Sequence, residues 1–158
     1  AQAVDHLDAT LADHAHCELK AAQSALSLLA RFGGEMESMQ APHVALVQEE
    51  TEHFAQVMTH LSNRGGTLTL PGPDEYVAEL RRAGNEDRGS GHPPLLDRLL
   101  ISALIEARSC ERFKVLSEHL KDGGLRLFYR ELMASEARHF ALFRGLAEER
   151  FGELSLIM

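Results

Sequence analysis

Along four stretches of the chain, apolar side chains return every third or fourth position and polar residues fill the places between. That spacing gathers the apolar residues on one face of a helix. The first stretch, 4–32, ends at Gly33-Gly34, a pair suited to stopping a helix. The second has Pro42 where a first helical position would be, runs from 44 to 63 and stops at Gly65-Gly66. Residues 64–92 break the pattern: "RGGTLTLPGPDEY" and "GNEDRGSGHPP" are rich in Gly and Pro, with room for one short helix near 76–83. Pro93-Pro94 opens a third long helix reaching about 121, "DGG" at 122–124 interrupts it, and a fourth runs over 125–151. Two short connections flanking a long one predict an all-α four-helix bundle, its antiparallel pairs joined by one crossover between the second and third helices.

Stepping along each apolar stripe by three and four exposes an anomaly near its middle. The first stripe reads Leu11, Ala15, Glu18, Ala22, Ala25, Leu29, and the second Leu46, Glu50, His53, Val57. The third reads Leu96, Leu99, Ala103, Glu106, Cys110, Phe113, Ser117, Leu120, and the fourth Leu125, Tyr129, Leu132, Glu136, His139, Phe143, Leu146. A bare carboxylate in a dry core costs many kcal/mol, and several at one level repel one another. Cations resolve the conflict. One Glu on each of two helices, with Glu-x-x-His on each of the other two, is the ligand pattern of ferritin-like di-iron or di-manganese carboxylate bundles. In Glu-x-x-His the carboxylate and the imidazole stand one turn apart on the same face. The expected metal ligands, through which catalysis would run, are therefore Glu18, Glu50, His53, Glu106, Glu136 and His139, with Glu50 and Glu136 bridging. Two Fe ions are the expected cofactor and Mn the alternative. Glu-x-x-His arises readily by chance in a chain with nine His, so the discrimination comes from position: the pairs fall on the second and fourth helices, the lone seam glutamates on the first and third. The competing interpretation makes these acids solvated faces or inter-helix ion pairs.

Composition narrows the picture further. A chain of 158 residues, 44% hydrophobic, suits a single domain spanning 1–158. The formal net charge of −8 argues against a large non-specific nucleic-acid surface. Arg81, Arg82, Arg88 and Arg98 nevertheless cluster around the crossover, where they form either a phosphate-binding patch or a solvated face. Cys17 and Cys110 make neither a disulfide framework nor a CxxC pair, and each is expected to be a packing residue. With no membrane-length apolar run and no signal pattern, a cytoplasmic location and no membrane partner are expected. His14, His16, His60 and His119 lack the Glu-x-x-His context and are expected at the surface or behind the ligands.

Four blocks, "DHAHCELKAAQSALSL" (13–28), "EETEHF" (49–54), "LLISALIEARSCERF" (99–113) and "SEARHFALF" (135–143), resemble the bacterial MiaE family of tRNA hydroxylases, within the ferritin-like superfamily. The likeness covers nearly the whole chain. It implies a non-haem di-iron monooxygenase acting on the isopentenyl group of 2-methylthio-N6-isopentenyladenosine beside the anticodon of tRNA. The implied ligands are the same six residues. Its partners would be tRNA, O2 and an external electron donor, a ferredoxin or reductase, since the sequence has neither a dinucleotide fingerprint nor a cysteine array for a cluster. Two alternatives share the ligand set: a ferritin- or rubrerythrin-like protein that oxidises iron or scavenges peroxide, and a di-iron oxygenase with another small apolar substrate. The rubrerythrin version is weakened by the lack of a rubredoxin-type Cys motif.

Overall fold

The computed structural model describes residues 6–86 and 93–152. Helix α1 spans Leu7–Phe32; a 3-10 turn, Glu37–Met39, leads directly into α2, Gln40–Asn63; then come α3, Glu75–Glu86, α4, Pro94–His119, and α5, Gly123–Phe151. No strand occurs among the described residues, and the fold class is all-α. The chain divides into two compact units, Ala1–Pro73 and Asp74–Met158.

In the first unit α1 and α2 run antiparallel, as their ends record. Arg64, just past α2, donates to Asp8 in the first turn of α1, while Gln40 at the start of α2 donates to the Gly33 carbonyl at the end of α1, 2.7 Å away. Leu11, Ala15, Leu28, Leu46, Val57 and Leu61 fill the seam. Helix α2 closes in a Schellman turn: the N–H of Gly66 bonds the Leu61 carbonyl (3.0 Å) and that of Gly65 the Ser62 carbonyl (2.9 Å). Gly65 takes φ 77°, the left-handed region that a side chain would penalise.

In the second unit α4 and α5 pair the same way. Arg126 of α5 donates to the Ser117 carbonyl near the end of α4 (3.2 Å), and the Cys110 thiol meets the Met133 carbonyl at 3.6 Å. Tyr129 is wholly buried, its ring 5.4 Å from that of Phe113 and 5.2 Å from that of Phe128. Helix α3 lies on α4 through Tyr76, whose hydroxyl donates to the Leu104 carbonyl and whose ring carries the Arg108 guanidinium 4.0 Å from its centroid.

Several boundaries shift from those expected. Helix α2 starts at Gln40 because the 3-10 turn flows into it; Pro42 falls in the first turn, where its missing N–H leaves no bond unmade. Helix α5 starts at Gly123 rather than 125: the Asp122 carboxylate accepts the Leu125 N–H at 2.8 Å, so a cap offsets the two helix-weakening glycines. Helix α3 is longer than the 76–83 expected, and α4 ends at His119. Positions 4 and 5 of the first expected helix, and 87–92 of the crossover, lie outside the described residues. Leu28 rather than Leu29 is the buried residue in the last turns of α1.

Candidate metal centre

Each helix pair buries a carboxylate on its first helix opposite a Glu-x-x-His on its second. In the first unit Glu18 is 4% exposed, Glu50 1% and His53 8%. One ligand atom from each lies within 4.8 Å of the others. The His53 Nδ1 stands 3.3 Å from Glu50 Oε2 and 3.8 Å from Glu18 Oε2. The second unit repeats the plan with Glu106, Glu136 and His139, all buried, again with one ligand atom from each within 4.8 Å. His139 Nδ1 lies 3.7 Å from Glu136 Oε1. The phase of each stripe fixes this outcome. A residue three or four positions from a buried Leu or Ala enters the same seam.

The ring of His139 is also held from behind. Its Nε2 lies 3.5 Å from Ser135 Oγ, which accepts a 3.0 Å bond from Arg138 Nη2; Arg138 Nη1 donates to the Ala134 carbonyl at 3.2 Å. A bond on Nε2 leaves Nδ1 as the nitrogen turned to Glu136, the usual way an outer residue selects the ligating atom of an imidazole. Oxygen and imidazole donors, three to a unit, form a borderline-hard set suited to a divalent first-row metal. These carboxylate and histidine groups can hold a metal ion.

The other candidates separate by burial. His14 is wholly buried, with its Nε2 in hydrogen-bonding contact with Glu18 Oε1; His16 bonds the Thr69 carbonyl at 2.6 Å; His119 is exposed. Cys17 and Cys110 are half-buried, and neither is in a disulfide. Burial and then the Glu136 charge push the Cys110 thiol up from its ordinary value. Arg81 and Arg82 are exposed on α3, Arg98 is half-buried in α4, and Arg88 lies outside the described residues. One buried titratable residue escaped the sequence reading. His43, wholly buried, bonds through Nδ1 to the Met39 carbonyl at 3.0 Å, and desolvation, partly offset by that bond, pulls its pKa below the ordinary 6.5. Its signal was present, since 43 extends the stripe of 46, 50, 53 and 57 by one step.

An all-helical chain in which each of two helix pairs buries a Glu opposite a Glu-x-x-His is a carboxylate–histidine protein of the ferritin-like type. The chain belongs to the MiaE family: the family described as tRNA-(MS[2]IO[6]A)-hydroxylase (MiaE) matches residues 1–157. It is 40% identical, over 87% of its length, to a Pseudomonas putida tRNA 2-(methylsulfanyl)-N(6)-isopentenyladenosine(37) hydroxylase, of which it spans 64%. A Salmonella typhimurium protein of the same name is 29% identical over 91% of this chain, which spans 69% of that relative. Among solved structures, "Protein 43 with aldehyde deformylating oxygenase activity from Synechococcus" matches 95% of this chain and 73% of its own, at TM-score 0.86 and 41% identity. No helix among the described residues is long and apolar enough to cross a membrane.

Proposed function

We propose that the chain is the di-iron domain of an O2-dependent monooxygenase that hydroxylates the isopentenyl group of 2-methylthio-N6-isopentenyladenosine next to the anticodon in tRNA. The observation that carries this reading is the repeated buried triad, Glu18 with Glu50 and His53, and Glu106 with Glu136 and His139. Family membership and the names of the curated relatives support the substrate. In this reading 1–158 forms one domain, the six residues hold two iron ions, and catalysis runs through them. Hydroxylating a hydrocarbon C–H bond, even an allylic one, is beyond side-chain acid–base chemistry, and O2 activation is the chemistry that bound iron would supply.

The chain's own residues do the rest. Four carboxylates balance the charge of two divalent ions, two imidazoles complete the donor set, and the leucines and alanines of the seams keep bulk water away. Ser135 and Arg138 hold His139 in its ligating orientation. Arg81, Arg82, Arg88 and Arg98 are the proposed phosphate contacts, and electrons come from an external ferredoxin or reductase. A cytoplasmic location goes with a tRNA substrate.

The aldehyde deformylating oxygenase activity of the Synechococcus protein favours a second reading, a di-iron oxygenase acting on another small apolar molecule such as an aldehyde. Iron-loaded protein, given a chemical reductant and air, is presented in parallel with isopentenylated tRNA and with a long-chain aldehyde. Hydroxylated nucleoside from the tRNA supports the first reading. Aldehyde turnover with untouched tRNA replaces it with the second, and consumption of ferrous iron alone points to the iron-oxidising alternative.

A further inference from the structure

The first triad has a buried histidine one turn before its lone glutamate. His14 sits four residues before Glu18 on the buried face of α1, at 0% exposure. Its Nε2 contacts Glu18 Oε1, whereas Glu18 Oε2 lies 3.8 Å from His53 Nδ1, on the side of Glu50 and His53. The two oxygens of one carboxylate thus face different partners. Four residues before Glu106, the corresponding place in the second unit, stands Ser102. No imidazole occupies that position.

We propose that His14 is a positioning residue for Glu18. Its Nε2–H donates to Oε1, fixes the rotation of the carboxylate about its last bond and leaves Oε2 as the single oxygen offered to a metal ion. An unbraced glutamate has three side-chain torsions and can chelate through both oxygens or swing out of the seam. A donor held in a dry helix interface removes that freedom, and outer partners of this kind set both metal affinity and ligand orientation. Packing does not explain the residue. Apart from Thr10, whose hydroxyl bonds the His6 carbonyl, and Glu18 itself, the buried face of α1 is otherwise built from Leu11, Ala12, Ala15, Ala22, Ala25 and Leu28, and a buried imidazole costs desolvation unless its nitrogens are used.

The inference rests on the two-iron reading, and the experiment separates them. Wild type, His14→Ala and His14→Gln are purified without metal, their helicity is matched by circular dichroism, and each is titrated anaerobically with ferrous iron-57 and examined by Mössbauer spectroscopy. Expected for wild type are two ferrous doublets. In His14→Ala one doublet should move and the corresponding ion should bind roughly 10–100-fold more weakly, with the other unchanged. His14→Gln, whose amide still reaches one turn along the helix, should restore most of both. If the alanine variant does not fold, His14→Leu, which fills the seam without a donor, carries the test: its doublet and affinity should shift as expected for alanine, and a wild-type result would overturn the inference. Wild-type affinity and spectrum in His14→Ala overturn the inference alone. A wild type that takes up no iron overturns the metal reading and the inference with it.

Discussion

His43 shows how a buried polar side chain governs pH response. Desolvation lowers its folded-state pKa below the ordinary 6.5, so the folded protein resists a proton that the unfolded chain accepts. Its contribution to stability is complete above pH 6.5 and is lost as pH falls through the lower folded value. Replacing it with Gln, which keeps a donor for the Met39 carbonyl, should flatten the acid limb of a stability-against-pH curve measured by urea unfolding. An unchanged difference between wild type and variant from pH 7.5 down to 5 would count against this role. Cys110 gives the opposite sign: with its pKa raised by burial and by Glu136, the metal-free protein should hold it as a thiol at neutral pH. It should alkylate with iodoacetamide more slowly than a small free thiol and accelerate only above the ordinary thiol range. At this scale the proposed ligands were legible, because a charged residue on an apolar stripe is conspicuous. His14 and His43 were less so. A histidine suits both a surface and a core, and its bond to a carboxylate or carbonyl one turn away appears only with the side-chain geometry.

Helix ends carry the fold's local punctuation. The Asp122 cap on the Leu125 N–H predicts that Asp122→Ala costs about 0.5–2 kcal/mol in denaturant unfolding. At the other kind of terminus, Gly65→Ala should cost about 1–2 kcal/mol, because alanine must take the left-handed conformation at φ 77°. The space there is open, so a loss well beyond that range would mean the turn does more than end α2. Periodicity located all four long helices, while their ends moved by a few residues for reasons periodicity does not contain. Glycines at 123 and 124 read as a break, yet one carboxylate before them suffices to start the helix there. Pro42 read as an opening position, yet a 3-10 turn upstream had already set the helical direction.

For the whole molecule, the same plan occurs twice: a lone glutamate on one helix and a Glu-x-x-His on its antiparallel partner. Burying that many acids opposes folding when no cation is present. Exchanging Glu50 and Glu136 for Leu should therefore raise the stability of the metal-free protein by about 1–4 kcal/mol while abolishing iron uptake. Calorimetry and metal analysis on the same samples read both. A variant less stable than wild type without metal would show that the carboxylates are held by protein groups strongly enough to support the fold by themselves.

The connection between the two compact units ends at Pro73, and beside it Leu70 is 92% exposed. A protease offered the native protein would be expected to cut in this stretch, and the cut would part the chain into two hairpins, each with three of the six proposed ligands. If the proposed two-iron reading holds, two separately expressed halves would make metal uptake a readout of split-protein complementation.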